Sequence, residues 1–355
     1  MPRRLLLLLL LSLLARPASA QVVRGTLTAP GGGPEPGATV LLVDSAGFTR
    51  GQALSNPTGF YGFVAPFTGH FRIRVIRVGF PDWQTDPFEL RDGATTDVNA
   101  ELPGVHAKIP ALTPTKSCAM HPQADDAAGA LLAEVQKALE GTDGFLRLSD
   151  YRFDVHEYSK VFDDGHVQLA VDTADQQQTA FWPVKSLPVD RLAADGFIQG
   201  DDPTTGPVYY GPDAEVFFSD FFLNDHCFQV VAGKKDTKGL VGLHFKPATS
   251  RPVADLDGVL WVDPVSSGLV RLEFGYTHMP DWAPKGSAGG VLDFARLPSG
   301  FWSISKWRMW APIPERFQGT NWWHFIGYAE VGGEITRVTM RDGTVVFRAD
   351  TTSRK

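Results

Sequence analysis

The chain has 355 residues, 43% of them apolar, so it can bury sizeable cores and is long enough for about two domains. Its 33 basic and 40 acidic residues give a formal charge of −7 with no clustered Lys/Arg block, which argues against a protein built to grip a phosphate backbone. No nucleic-acid partner is expected.

At the start, Arg3 and Arg4 precede an apolar run from Leu5 to Leu11, extended by Leu13 and Leu14, and Ala18-Ser19-Ala20 offers the small residues that a signal peptidase accepts before Gln21. Residues 1–20 therefore read as a cleaved signal peptide, and the mature chain is expected in the periplasm or outside the cell. The run is too short to cross about 30 Å of hydrocarbon and no other segment approaches about 20 apolar residues, so no transmembrane segment is expected in the mature chain. Loss of Arg3, Arg4 and Arg16 would leave 30 basic against 40 acidic residues.

From Val22 to Leu102 the sequence is a series of short alternating runs, VVRGTLTA, ATVLLVD, GFYGFVAPF, HFRIRVIRVGF and TTDVNAEL, separated by turn chemistry at Gly31 to Pro34, Asn56 to Gly59 and Asp92-Gly93. Nothing here has helical period, and a small antiparallel sandwich is the economical fold. Val23-Arg24-Gly25, Pro36-Gly37-Ala38-Thr39-Val40, the Asn56-Pro57-Thr58-Gly59-Phe60-Tyr61 turn and Gly69 to Phe80 together resemble the carboxypeptidase regulatory-like domain, over residues 21–103. That resemblance implies a transthyretin-like fold used as an accessory module, not peptidase activity. A zinc carboxypeptidase needs His-x-x-Glu, and none of the nine His residues has Glu three positions on.

Residues 104–117 lack periodicity and read as a linker, and Cys118 opens a second domain running to residue 350. A helix is expected over about 126–140, with Asp125 as N-cap, Ala128, Leu131, Leu132, Val135 and Leu139 on one face, and Gly141 as the stop. A short helix near Pro188 to Ala194 and an aromatic helix over about 214–224 interrupt an otherwise consecutive series of strands from Arg152 to Met340. Brief connections such as Asp263 to Gly268 predict antiparallel neighbours. The fold class is therefore mainly β: a transthyretin-like sandwich, then a larger, half-barrel-like antiparallel curved sheet with two or three helices plugging its concave side. In this region Gly258 to Glu273 is similar to a hairpin of lipoprotein-carrier-like half-barrels, and the order of segments resembles bacterial envelope proteins that carry a regulatory-like domain.

The two cysteines, Cys118 and Cys227, are expected to pair in an exported chain, closing a loop of about 110 residues worth on the order of 4 kcal/mol. The competing reading gathers Cys118, His121, His226 and Cys227 on a metal, at a spacing that no zinc finger uses. Ser303 and Lys306 have Ser-x-x-Lys spacing, but lie in a strand pattern without the companion motifs of penicillin-recognising enzymes. No cofactor motif is present.

Six of the nine Trp residues follow residue 280, and Trp302, Trp307, Trp310, Trp322 and Trp323 are the candidate ligand-binding residues, since an indole offers a flat apolar face and one donor for sugar, lipid or protein contact. Alternation puts Phe301, Ser303, Ser305, Trp307 and Met309 on one face of their strand and Trp302, Ile304, Arg308 and Trp310 on the other. The expected role is non-enzymatic: a binding or structural envelope protein whose partner is a lipid, glycan or envelope protein, with an apolar ligand or partner on the curved sheet. The alternatives are a carbohydrate-binding protein using exposed Trp, or a hydrolase with Asp220, His226 and His244 on the concave face.

Overall fold

The computed structural model describes residues 21–104, 114–115, 117–123, 126–146, 151–179, 182–202, 206–298, 300–317 and 322–349. The expected signal peptide, most of the linker and the expected cap Asp125 lie outside the described residues.

Alternation makes the first module a pair of sheets. One has the order β4 (Phe60–Ala65), β1 (Gln21–Thr28) and β8 (Thr95–Asp97), with β9 (Ala100–Glu101) also on β1. The other runs β3 (Thr49–Leu54), β2 (Thr39–Asp44), β5 (Gly69–Ile76) and β6 (Trp83–Gln84), with β7 (Phe88–Leu90) on β5. Every second residue of β1 faces inward, Val23 and Leu27 with Val40, Leu42, Phe63, Ile73 and Val75, and these form a core of their own. One expectation fails: β1 pairs with β8 and β9 in parallel, because the chain crosses to the second sheet before returning.

The second module is one antiparallel sheet of ten strands. From β14 (His226–Ala232) it runs as a meander through β15 (Val241–Pro247), β16 (Leu256–Val262), β17 (Leu269–Tyr276), β18 (Gly289–Arg296), β19 (Trp302–Arg316) and β20 (Trp323–Met340). The earlier hairpin of β10 (Tyr151–Asp163) and β11 (Gln168–Gln178) then adds beside β20, as does β21 (Val345–Arg348). The edge at β14 is covered by the chain's own residues: the Thr115 N–H donates to Val230 O at 3.0 Å, and Ala119 bridges Phe228.

Helix α1 (Ala127–Leu146) lies across the inner face of this sheet, burying Leu131, Val135, Ala138, Leu139 and Phe145 against Phe153, Phe245, Leu260, Leu292 and Ile304. It does not stop at Gly141. Thr142, Phe145 and Leu146 continue the buried stripe, and their burial outweighs a helix-propensity cost of about 1 kcal/mol for each glycine. Helix α2 (Val189–Asp195) falls where expected, close to the short two-stranded sheet of β12 (Ile198–Asp202) and β13 (Gly206–Tyr209). The expected helix over 214–224 is two helices, α3 (Ala214–Phe218) and α4 (Asp220–Asp225), broken at Ser219. The Ser219 hydroxyl donates to Val216 O at 2.6 Å, closing α3, and accepts from the Phe222 N–H at 3.1 Å, opening α4.

Cys118 and Cys227 form a disulfide, with Cα atoms 5.3 Å apart, which fixes the segment before α1 to the start of β14. The thiolates that a metal site would need are consumed, and His121 Nε2 instead lies 2.6 Å from Asn224 Oδ1. No helix among the described residues is long and apolar enough to cross a membrane.

Candidate binding site

The inner face is filled by α1, α3 and α4 over most of the sheet, so the open surfaces lie where β10, β19 and β20 outrun the helices. Register decides which side chains meet there. Trp307 pairs with Gly333 and Met309 with Val331 on the inner face, while Arg308 pairs with Gly332, Trp310 with Glu330 and Pro312 with Tyr328 on the outer face. Across β10, Tyr158 stands opposite Gly332, Lys160 opposite Glu330 and Phe162 opposite Tyr328.

On the outer face these residues form a cleft of about 310 Å³, walled by Phe162, His166, Trp310 and Tyr328 and completed by Lys285 and Ser287 from the β17–β18 connection. The His166 and Tyr328 rings lie 4.5 Å apart, and the Arg308 guanidinium sits 5.1 Å from the Trp310 ring centre. Glu330 is the polar hub. It accepts from the Tyr158 hydroxyl at 3.1 Å and lies 3.6 Å from Arg308 and 4.0 Å from Lys160. Burial, reinforced by the Glu330 charge and its hydrogen bond, pushes the Tyr158 phenol up to about 12, so it stays a donor at neutral pH. Ser287 is 4% exposed, and among the described residues its hydroxyl has no hydrogen-bond partner.

A second cleft, about 360 Å³, lies back to back with the first on the inner face, bounded by Trp307, Met309, Val331 and Pro183 with Glu157, Ser159 and Asp172 at its rim.

The five candidate Trp residues are therefore not gathered into one site. Trp310 belongs to the outer cleft, Trp307 is nearly buried beside the inner one, and Trp302 lines a third cleft at the junction with the first module. Trp322 is 75% exposed at the far end of the sheet, and Trp323 stacks under Arg316 at 5.8 Å. The face assignment from strict alternation also fails at one point. A bulge at Ser305 shifts the register between Lys306 and Ile304, so Ile304 and Trp307 share the inner face. Ser303, next to Ile304 in register and so on the opposite face of the strand, is buried with its hydroxyl donating to Ile304 O.

The hydrolase trio is dispersed. His226 is fully buried, stacked 3.9 Å from the Phe222 ring, with Nε2 3.2 Å from Asp255 Oδ1. His244 lies on the outer face of β15 beside Asp257 at 2.8 Å, and Asp220 opens α4. Asp255 also accepts from Arg251 Nη1 and from the Leu256 N–H, each at 2.9 Å, and Arg251 continues to Ala193 O. Burial alone would raise the Asp255 carboxyl, but His226, the Leu256 N–H and Arg251 together hold it below the usual carboxylate range. This network ties α2, α4 and the start of β16 together inside the protein.

Sequence reasoning missed Tyr158, Lys285, Ser287, Tyr328 and Glu330. The only local signal was the aromatic alternation of HFIGYAE, which says which face a ring takes but not what stands opposite.

Residues 22–103 match the family model of the carboxypeptidase regulatory-like domain, so the first module is such a domain. The match ends there, and the half-barrel resemblance of the later sheet is no part of it. Among curated proteins none matches the chain.

Proposed function

We propose that this is a non-catalytic, exported binding protein that takes an acidic saccharide unit in the outer cleft of its large sheet. Export rests on the leader-like residues 1–20 and is in keeping with the disulfide. The observation that carries the ligand reading is the Ser287 hydroxyl, without a hydrogen-bond partner among the described residues, beside a wall of Trp310 and Tyr328. Sugars present hydroxyls in one plane and apolar C–H faces in another, and this cleft offers a match for both. Lys285 and Arg308 outnumber Glu330 there, which favours an acidic sugar over a neutral one although the whole chain is acidic.

Titration calorimetry with a hexuronate oligosaccharide and with its neutral hexose counterpart tests the reading. Saturable binding of the acidic probe, weakened at least about tenfold in Trp310→Ala, is expected, a change of about 1.4 kcal/mol. Absence of saturable binding by either probe would refute it.

A second reading has its own observation. Val331 remains 44% exposed in the inner cleft beside Met309 and Trp307, where an acyl chain would find apolar contact. Solvent extraction of the purified protein followed by mass spectrometry separates the two: co-purifying lipid with no saccharide binding would favour this one.

A further inference from the structure

The two modules meet around a third and more enclosed cleft of about 260 Å³, lined by Pro36, Gly37, Arg77, Phe80, Arg296 and Trp302. Its walls are closely fitted. Gly37 and Gly300 both hold positive φ, at 73° and 91°, and their backbones approach so closely that a side chain on Gly37 would meet Gly300 O at 2.6 Å. A side chain on Gly300 would likewise strike Pro36, and the Trp302 ring occupies the space that a side chain on Gly268 would need. The loop after β5 is held from the other side: the Gly79 N–H donates to Glu134 Oε2 and Lys137 Nζ donates to Phe80 O, both at 2.7 Å, so α1 grips the first module.

Charge in this cleft does not balance. Arg77, mostly buried, pairs with Glu35 at 2.6 Å and lies 4.0 Å from the Phe80 ring centre. Arg296 contributes a second guanidinium within electrostatic range of both, and its Nε donates to the Gly300 carbonyl at 3.1 Å. Of the residues lining or adjoining the cleft, Glu35 is the carboxylate within electrostatic range of both guanidinium groups, Arg77 being shielded and Arg296 exposed at the mouth. Glu35 itself is 2% exposed, and among the described residues its Oε1 has no hydrogen-bond partner. Burial raises its carboxyl against the pull of both arginines.

We infer that the junction cleft is an oxyanion site, taking a phosphate monoester or inorganic phosphate between Arg77 and Arg296 with Trp302 as its apolar wall. Guanidinium groups present paired donors that match phosphate oxygens, and an added anion would bridge the shielded Arg77 to the exposed Arg296 at the mouth of the cleft. Because one arginine comes from each module, occupancy would tighten the junction.

Titration calorimetry of the full chain with inorganic phosphate, against sodium chloride at equal ionic strength, tests this. Saturable binding of phosphate is expected, with affinity at least tenfold weaker in Arg296→Gln. Glu35→Gln removes the competing carboxylate and is expected to bind phosphate more tightly than the parent, an opposite change that a merely structural role would not give. Lys285→Gln, in the outer cleft, should leave phosphate binding unchanged, which separates failure here from failure of the saccharide reading. Each variant is first checked for an unaltered near-ultraviolet dichroism spectrum; if Glu35→Gln does not fold, Arg296→Gln alone decides. No saturable phosphate binding by the parent, or equal binding by Arg296→Gln, would overturn the inference.

Discussion

Asp255→Asn separates a structural His–Asp pair from a reactive one. The substitution keeps the shape and the oxygen that accepts from the Leu256 N–H, but removes the negative charge facing Arg251 at 2.9 Å and His226 at 3.2 Å. Asp255 is 1% exposed, so this is a buried cluster, and breaking such a pair by removing one partner costs about 3–5 kcal/mol. The retained hydrogen bond places Asn near the lower end, about 3 kcal/mol, and Asp255→Ala near the upper. Urea denaturation followed by tryptophan fluorescence reads the loss as a shift in midpoint. The pH dependence provides a second reading. A carboxyl whose folded value lies below its unfolded value, about 3.9, stabilises the fold above that unfolded value, and the contribution disappears as pH falls through the folded one. The parent should therefore lose stability below about pH 4 more steeply than the Asn variant. Saccharide binding at the outer cleft, measured well below the unfolding midpoint, should be unchanged. An Asn variant within 1 kcal/mol of the parent, with the same acid limb, would refute this account of the network.

Replacing Cys118 and Cys227 by Ser opens a loop spanning 109 positions, and should cost about 4–5 kcal/mol in urea, with no effect of added reductant on the variant. A cost below about 1 kcal/mol would mean that the unfolded chain is already constrained there. Ser219→Ala removes the hydroxyl that closes α3 and opens α4 and should cost about 1–2 kcal/mol by thermal melt, whereas Ser219→Asn, a comparable cap, should stay close to the parent. Equal losses in the two would assign the effect to packing instead.

What could be read from residues alone was whatever depends on near neighbours. The alternating run HFRIRVI shows which residues face inward, and it became a strand with Ile73 and Val75 on the expected buried side, whereas LVRLEFGY became a strand whose alternation is reset by a register shift beside Leu269. The disulfide was legible because two cysteines in a chain expected to be exported leave a single internal pairing. What was not legible depends on events that reset the count. The bulge at Ser305 adds a residue to β19 and turns Trp307 to the side of Ile304, an exchange that alternation cannot foresee. Gly141 and Ser219 carry the reverse lesson. A glycine inside a long buried stripe does not end a helix, whereas a serine whose side chain can satisfy two helix ends at once does. The outer cleft was further out of reach, since Tyr158 and Glu330 meet across 172 positions of sequence through a pairing of β10 with β20.

The abundance of tryptophan makes the same point about function. A count of rings suggested stacking surfaces for a ligand, yet the sheet uses most of those faces itself by setting a glycine opposite each ring. Trp302 lies over Gly268, Trp307 over Gly333 and Trp310 over Gly289, and the Tyr158 ring covers Gly332 on the opposite side of β20 from Trp307. A ring laid on a glycine shields strand backbone that no side chain would otherwise cover, so these pairs cover the sheet where its strands carry glycine. The ligand question then turns on the ring surface left over. Trp310 has Gly289 beneath it and the Arg308 guanidinium 5.1 Å from its ring centre, so it enters the outer cleft already held in place. A ring fixed in this way loses little freedom when a sugar docks, which gives the outer cleft a stronger claim to a ligand than the exposed Trp322 at the sheet's end.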